Sequence, residues 1–60
     1  PMTTYNHAYT FGFSLSGSTD QKGENVTGAE LRAAIIKFAN ELSDEDIETN
    51  CALPFDTYEE

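Results

Sequence analysis

The stretch best equipped for chemistry is residues 40–50, NELSDEDIETN, which hold five carboxylates and no basic residue. Carboxylates grouped this closely can ligate a hard cation, exchange protons as an acid–base pair, or bind a positively charged surface. Each possibility makes a different demand on the neighbouring residues, so the sequence can rank them. The five acids are Glu41, Asp44, Glu45, Asp46 and Glu48.

Neither metal binding nor acid–base catalysis fits the residues around these acids. A calcium loop needs oxygen ligands at alternate positions, a central glycine and a bidentate glutamate. Segment 43–50 lacks that glycine and that spacing, and the other candidate, segment 20–25 (DQKGEN), places Lys22 at a ligand position. Two catalytic carboxylates would have to face each other across a concave pocket, which 60 residues with one long helix can scarcely build. We therefore expect no metal, no cofactor and no enzyme activity.

The single histidine and the single cysteine do not form a recognisable catalytic motif. We interpret His7 as a packed or half-exposed strand residue and Cys51 as a small hydrophobe. One cysteine excludes a disulfide within the chain, which favours a reducing compartment. No apolar run approaches the roughly 20 residues that span a bilayer, and no signal-peptide pattern is present. We expect a cytoplasmic protein with one domain over residues 1–60, in which Pro1, before Met2, is a remnant of expression.

The net charge of −8 is concentrated in the last third of the chain. Residues 1–40 carry three acids and three bases, whereas residues 41–60 carry eight acids and no base. This surface would repel nucleic acid and anionic membranes, so direct binding to either is not expected, and it would attract a basic protein surface. The nominated partner-binding residues are Glu41, Asp44, Glu45, Asp46, Glu48, Asp56, Glu59 and Glu60.

An aromatic segment near the start of the chain predicts the first strand. Residues 5–15, YNHAYTFGFSL, alternate in a period of two, as a half-buried strand does. The large odd-numbered residues from Tyr5 to Leu15 are expected to face the core. The small even-numbered residues between them, which include Thr10, Gly12 and Ser14, are expected to face water.

Residues 26–42, VTGAELRAAIIKFANEL, predict an amphipathic helix over residues 28–42. Thr27 and Glu30 fit a capping box, and one apolar stripe follows at helical spacing. Continuing this helix through the acidic run would align like charges and oppose the helix dipole. We therefore predict a break, with Ser43 capping a short acidic helical turn and Ile47 directed inward.

The last segment, CALPFDTY at residues 51–58, is β-prone. Pro54 cannot donate to a ladder, so an edge strand or extended tail beside the first strand is expected. The fold class is therefore α+β, with one amphipathic helix packed on a small two- or three-stranded sheet and a short acidic helical turn. The strand direction and the choice between monomer and homodimer remain open.

Three stretches carry a resemblance to a known group: TYNHAYTFGFSLSG, GENVTGAELRAAI and CALPFDTYEE. Together they are similar to very small acidic proteins of phages and mobile elements, including the short anti-CRISPR inhibitors. The resemblance implies an inhibitor in the cytoplasm of a bacterial host cell that binds a subunit of a nucleic-acid-guided defence complex and blocks access to DNA. That group shares no common fold, so the nominated residues come from the charge argument alone.

Two functional hypotheses follow from the acidic last third. In the first, the carboxylates imitate DNA phosphates and occupy a basic groove of a bacterial DNA-binding or CRISPR effector protein. Carboxylates three or four positions apart on a helix lie roughly 5–6 Å apart, and DNA phosphates rise about 3.4 Å per strand. In the second, the chain is a small regulatory or assembly module whose acids serve only solubility. It binds a protein through its sheet edge or through the water-facing side of the sheet around Thr10, Gly12 and Ser14.

Overall fold

The computed structural model describes residues 2–60, so the interpretation of Pro1 lies outside the described residues. The elements follow in the order β1 (Tyr5–Ala8), α1 (Gly28–Glu41), α2 (Asp44–Cys51) and β2 (Asp56–Glu59). Two helices and a two-stranded sheet confirm the predicted α+β class. In residues 2–60 no helix combines the length and the apolar composition that crossing a bilayer requires.

Helix α1 begins where its capping box predicts. The Thr27 hydroxyl accepts a hydrogen bond from the Glu30 backbone N–H at 3.1 Å, and the Glu30 carboxylate accepts one from the Thr27 backbone N–H at 3.1 Å. These two bonds satisfy donors that a helix start leaves without partners. The helix ends at Glu41 with Leu42 as its C-cap, one residue before the predicted end.

Helix α2 begins directly after the predicted break. The Ser43 hydroxyl accepts from the backbone N–H of Asp46 at 3.2 Å, and Ile47 is half-buried. The helix has eight residues, which is about two turns and longer than the single turn expected. Acids in its first turn stabilise the helix because they face the positive end of its dipole.

The two strands pair antiparallel, with Tyr5 opposite Glu59 and Ala8 opposite Asp56. The prediction that the last segment lies beside the first strand is confirmed, but the strand covers residues 56–59 rather than most of 51–58. Cys51 instead ends α2, and Pro54 stays outside the ladder.

The predicted strand over residues 5–15 is too long. Only residues 5–8 pair with another strand, because β2 offers four residues, and residues 9–19 run on without a turn or bend. The expected burial is also wrong within β1, where Asn6 and Ala8 are half-buried while Tyr5 and His7 are exposed. From Phe11 onward the predicted pattern holds, because the large side chains there meet α1.

Helix α1 packs against the extended segment that follows β1, at residues 11–15. The ring of Phe11 meets the ring of Phe38 edge to face at 6.0 Å. Phe13 and Leu15 are half-buried along the same segment. The resulting apolar layer is thin, since no described residue is fully buried. The molecule is elongated, with extents of 52 × 24 × 17 Å.

Candidate functional site

All eight nominated acids are exposed. Five of them belong to the end of α1 and to α2, and we call these Glu41, Asp44, Glu45, Asp46 and Glu48 the acidic cluster. The other three, Asp56, Glu59 and Glu60, lie in or directly after β2. The first five therefore lie within residues 41–48, while the last three lie on a separate element.

The cap of Ser43 positions the densest part of the acidic cluster. Asp44, Glu45 and Asp46 occupy the first turn of α2, and Glu48 follows one turn after Asp44. The dipole of α2 offsets part of the repulsion among these carboxylates. A short helix can thus hold four carboxylates at fixed spacing with their side chains in water.

Glu41 differs from the other members of the acidic cluster because it has a basic neighbour. Its carboxylate lies 4.0 Å from the Lys37 ammonium, and 62% of the Glu41 side chain is exposed. An exposed pair of this kind contributes about 0.5 kcal/mol or less. It leaves Glu41 available to a stronger cation.

The acids of β2 do not share one face. Successive strand residues point to opposite sides, so Asp56 and Glu59 lie on opposite faces of the two-stranded ribbon. Glu60 continues the strand, and its backbone N–H donates to the carbonyl oxygen of Thr4 at 3.0 Å. These three acids therefore lie on both faces of the ribbon at its β2 side, whereas the helical acids are gathered within residues 41–48.

The geometry around His7 is that of a structural residue. Its Nδ1 lies 2.8 Å from the Thr57 hydroxyl across the ribbon, and its ring meets that of Tyr9 edge to face at 6.4 Å. Cys51 is half-buried in the last turn of α2 and lines a shallow pocket of about 220 Å³ with Tyr9 and Ile47. Throughout residues 2–60, no three histidine, cysteine or acidic side chains are placed to hold a metal ion.

Sequence reasoning missed Asn50, the residue that fixes α2 against the extended segment. Its side-chain oxygen accepts from the Gly12 backbone N–H at 2.8 Å, and its amide nitrogen donates to the Gly12 carbonyl at 2.7 Å. The side chain thus pairs with Gly12 as a neighbouring strand would. The sequence offers no signal for this pair, because its residues are 38 positions apart.

This contact also restricts the surface expected for the alternative function. Gly12 was nominated with Thr10 and Ser14 as part of a solvent-facing side of the sheet, but both backbone polar groups of Gly12 are bound to Asn50. Position 12 does not require glycine for steric reasons, because an added Cβ would lie 3.9 Å from the Asn50 side-chain oxygen, an ordinary contact distance.

Comparisons of the chain with protein-family models, with curated proteins and with solved structures found no match. Any function assigned to the chain therefore rests on its own residues and their geometry.

Proposed function

We propose that this protein is a non-enzymatic inhibitor of the anti-CRISPR type. Its acidic cluster binds a basic, DNA-binding surface of a bacterial defence complex and blocks the access of DNA. The observation that carries the proposal is the group of exposed carboxylates on a capped helix, within a third of the chain that contains no base.

The charge density of α2 supports mimicry of a nucleic-acid strand. Its four carboxylates belong to residues 44–48, which rise about 6 Å along the helix axis. One strand of B-DNA carries about two phosphates over roughly the same length. A groove lined with arginine and lysine would therefore meet a denser set of negative charges on α2 than on one DNA strand.

Electrostatic recognition also gives the proposal a salt signature. Exposed ion pairs contribute roughly 0.2–1 kcal/mol each and are screened by salt. Four such pairs would raise an affinity by about fourfold to several hundred-fold, and high salt would remove most of that gain.

The decisive experiment measures whether the protein displaces target DNA from purified CRISPR surveillance complexes and other bacterial DNA-binding complexes. DNA binding is followed by fluorescence anisotropy at low and at high salt. One variant neutralises the four acids of α2 through Asp44→Asn, Glu45→Gln, Asp46→Asn and Glu48→Gln.

A second variant controls for net charge. It carries the same four neutral residues together with four changes that restore the net charge at exposed positions outside the cluster and outside residues 3–16: Gln21→Glu, Lys22→Gln, Ala29→Glu and Ala33→Glu. Displacement by the original protein, lost in both variants and weakened by salt, is the expected result. Recovery in the charge-relocated variant would show that net charge alone matters. If both variants kept every partner, the acids would serve only solubility.

A further inference from the structure

The isolated chain exposes far more surface than a compact protein of its size. Its accessible area is 5230 Å², whereas a compact monomer of 6.6 kDa exposes about 3,900 Å². The excess is about 1,300 Å². The radius of gyration of 15.4 Å likewise exceeds the roughly 10 Å expected for 60 residues.

Exposed large apolar side chains lie along α1, where Leu31, Ile35 and Ile36 are 40%, 39% and 55% accessible, and on or beside the ribbon. The accessible fraction is 57% for Tyr5, 50% for Tyr9 and 69% for Phe55. No residue among residues 2–60 is fully buried, so one chain hides little apolar surface to set against its conformational entropy. A partner that covers this surface would supply the missing burial.

The hydrogen bonds of the first strand show which of its two edges is open. The carbonyls of Thr4 and Ala8 accept bonds from Glu60 and Phe55, so the even-numbered residues turn their backbone groups toward β2. Gly12, also even-numbered, turns its groups toward Asn50. Because the chain continues without a bend and backbone groups alternate along a strand, the odd-numbered residues face the opposite edge.

No bond occupies this opposite edge beyond β1. Within the described part of the chain, the backbone groups of Tyr9, Phe11 and Phe13 have no hydrogen-bond partner. An uncovered strand edge is a template for another strand. We call the outward edge of residues 5–15 the open edge.

Charge distinguishes the open edge from the outer edge of β2. Residues 3–16 contain no acid and no base apart from His7, whereas β2 and the residue after it carry Asp56, Glu59 and Glu60. Pairing two copies through β2 would bring these acids close together, and charged edge strands resist such pairing. Pairing through the open edge would instead keep these three acids at the outer edges of the dimer.

We propose that a second copy of this chain occupies the open edge. Residues 5–15 of the two copies pair antiparallel about a two-fold axis, which joins the two ribbons into a four-stranded sheet with β2 at each outer edge. The eleven-residue alternating pattern then has a partner along its length, which the four residues of β2 cannot provide.

Area and symmetry favour a second copy over a different protein. Obligate homodimers bury about 2,000–5,000 Å² in total, or about 1,000–2,500 Å² per copy, and the excess surface of about 1,300 Å² falls within that range. A two-fold axis pairs the same segment of both copies, so a homodimer needs only one uncharged edge in each chain. This inference does not rest on the proposed inhibitor function.

The test removes a single edge donor while keeping every side chain. The 60-residue chain is prepared by chemical synthesis with an N-methyl group on the backbone nitrogen of Tyr9, which lies on the open edge. A matched chain carries the N-methyl group on Thr10, whose N–H faces the other way. Tyr9→Pro and Thr10→Pro provide the same comparison in expressed protein.

Light scattering and sedimentation over a range of concentrations give the dissociation constant without any partner or DNA. The unmodified chain is expected at twice its mass of 6.6 kDa. The change at Tyr9 removes two symmetry-related hydrogen bonds, so it should raise the dissociation constant by about 5- to 150-fold. The change at Thr10 should leave it within about threefold.

Three outcomes would overturn the proposal. A folded chain of 6.6 kDa at every concentration would exclude the dimer. A dimer equally sensitive to both modifications would place the interface elsewhere, for example at the exposed Ile36 of α1. A chain that stays monomeric and unfolded until another protein is added would assign the open edge to that protein. Because DNA displacement is measured separately, failure here leaves the inhibitor function untouched.

Discussion

Replacing Asn50 with alanine should detach α2 from the extended segment. The side chain makes two short hydrogen bonds to the backbone of Gly12, at 2.8 and 2.7 Å. Each such bond contributes about 0.5–1.5 kcal/mol, so the pair contributes about 1–3 kcal/mol. Alanine is the better helix former by about 0.5 kcal/mol, and the net loss of stability should be about 0.5–2.5 kcal/mol.

Asn40→Ala is the matched control for this change. Asn40 is exposed in α1, and within residues 2–60 its side chain makes no hydrogen bond. The Asn40→Ala variant has the same gain in helix propensity but loses no contact, so the protein's stability should stay equal or rise by about 0.5 kcal/mol. The difference between the two variants therefore isolates the Gly12 contact.

Two measurements check the prediction. Urea unfolding followed by circular dichroism, at one fixed protein concentration, gives the free energies. Amide hydrogen exchange gives the local effect, because the Gly12 N–H has only Asn50 as a partner and should lose its protection selectively. Equal stability of the two variants, or unchanged exchange at Gly12, would refute the role assigned to Asn50.

Two further predictions concern the ends of the helices. Ala52 adopts φ 54° and ψ −148°, a backbone region that suits glycine, so Ala52→Gly should stabilise the protein by about 1 kcal/mol. The control Ala33→Gly, at an exposed position inside α1, should destabilise it by about 1 kcal/mol. Thermal unfolding that ranks the two variants the other way would contradict backbone strain at Ala52. Thr27→Ala should cost about 1 kcal/mol by removing the cap of α1, whereas Glu30→Gln should cost little because an amide oxygen can accept the same bond. Equal losses would contradict this, because they would show that the charge of Glu30 contributes as much as the Thr27 hydroxyl.

The helices were predictable because their signals are local. The Thr27 and Glu30 pair is three residues apart, and the Ser43 cap acts on Asp46, also three residues on. Charge repulsion along a continuous helix then located the break between α1 and α2. Such short-range signals can be read without knowing the rest of the fold.

The sheet was only partly predictable because its partners are distant in sequence. The His7–Thr57 contact joins residues 50 positions apart. Alternation indicates that a segment suits a strand, but it does not tell how many residues find a partner or which face is covered. Those quantities depend on the length of β2 and on the contact between α2 and Gly12 through Asn50. Neither feature can be read from the sequence of residues 5–15.

The placement of the acids relates the two proposals to each other. Every acid of the last twenty residues lies on α1, α2 or the β2 side of the ribbon, and none lies on the open edge. In a dimer formed through that edge, self-repulsion would be reduced because the two sets of acids would lie toward opposite ends. Both acidic clusters would then stay accessible, so one particle would present two, and a target with two basic grooves at the right spacing would be bound with higher avidity. The dimer and the inhibitor activity can each exist alone, but together they explain why charge is excluded from one edge and concentrated away from it.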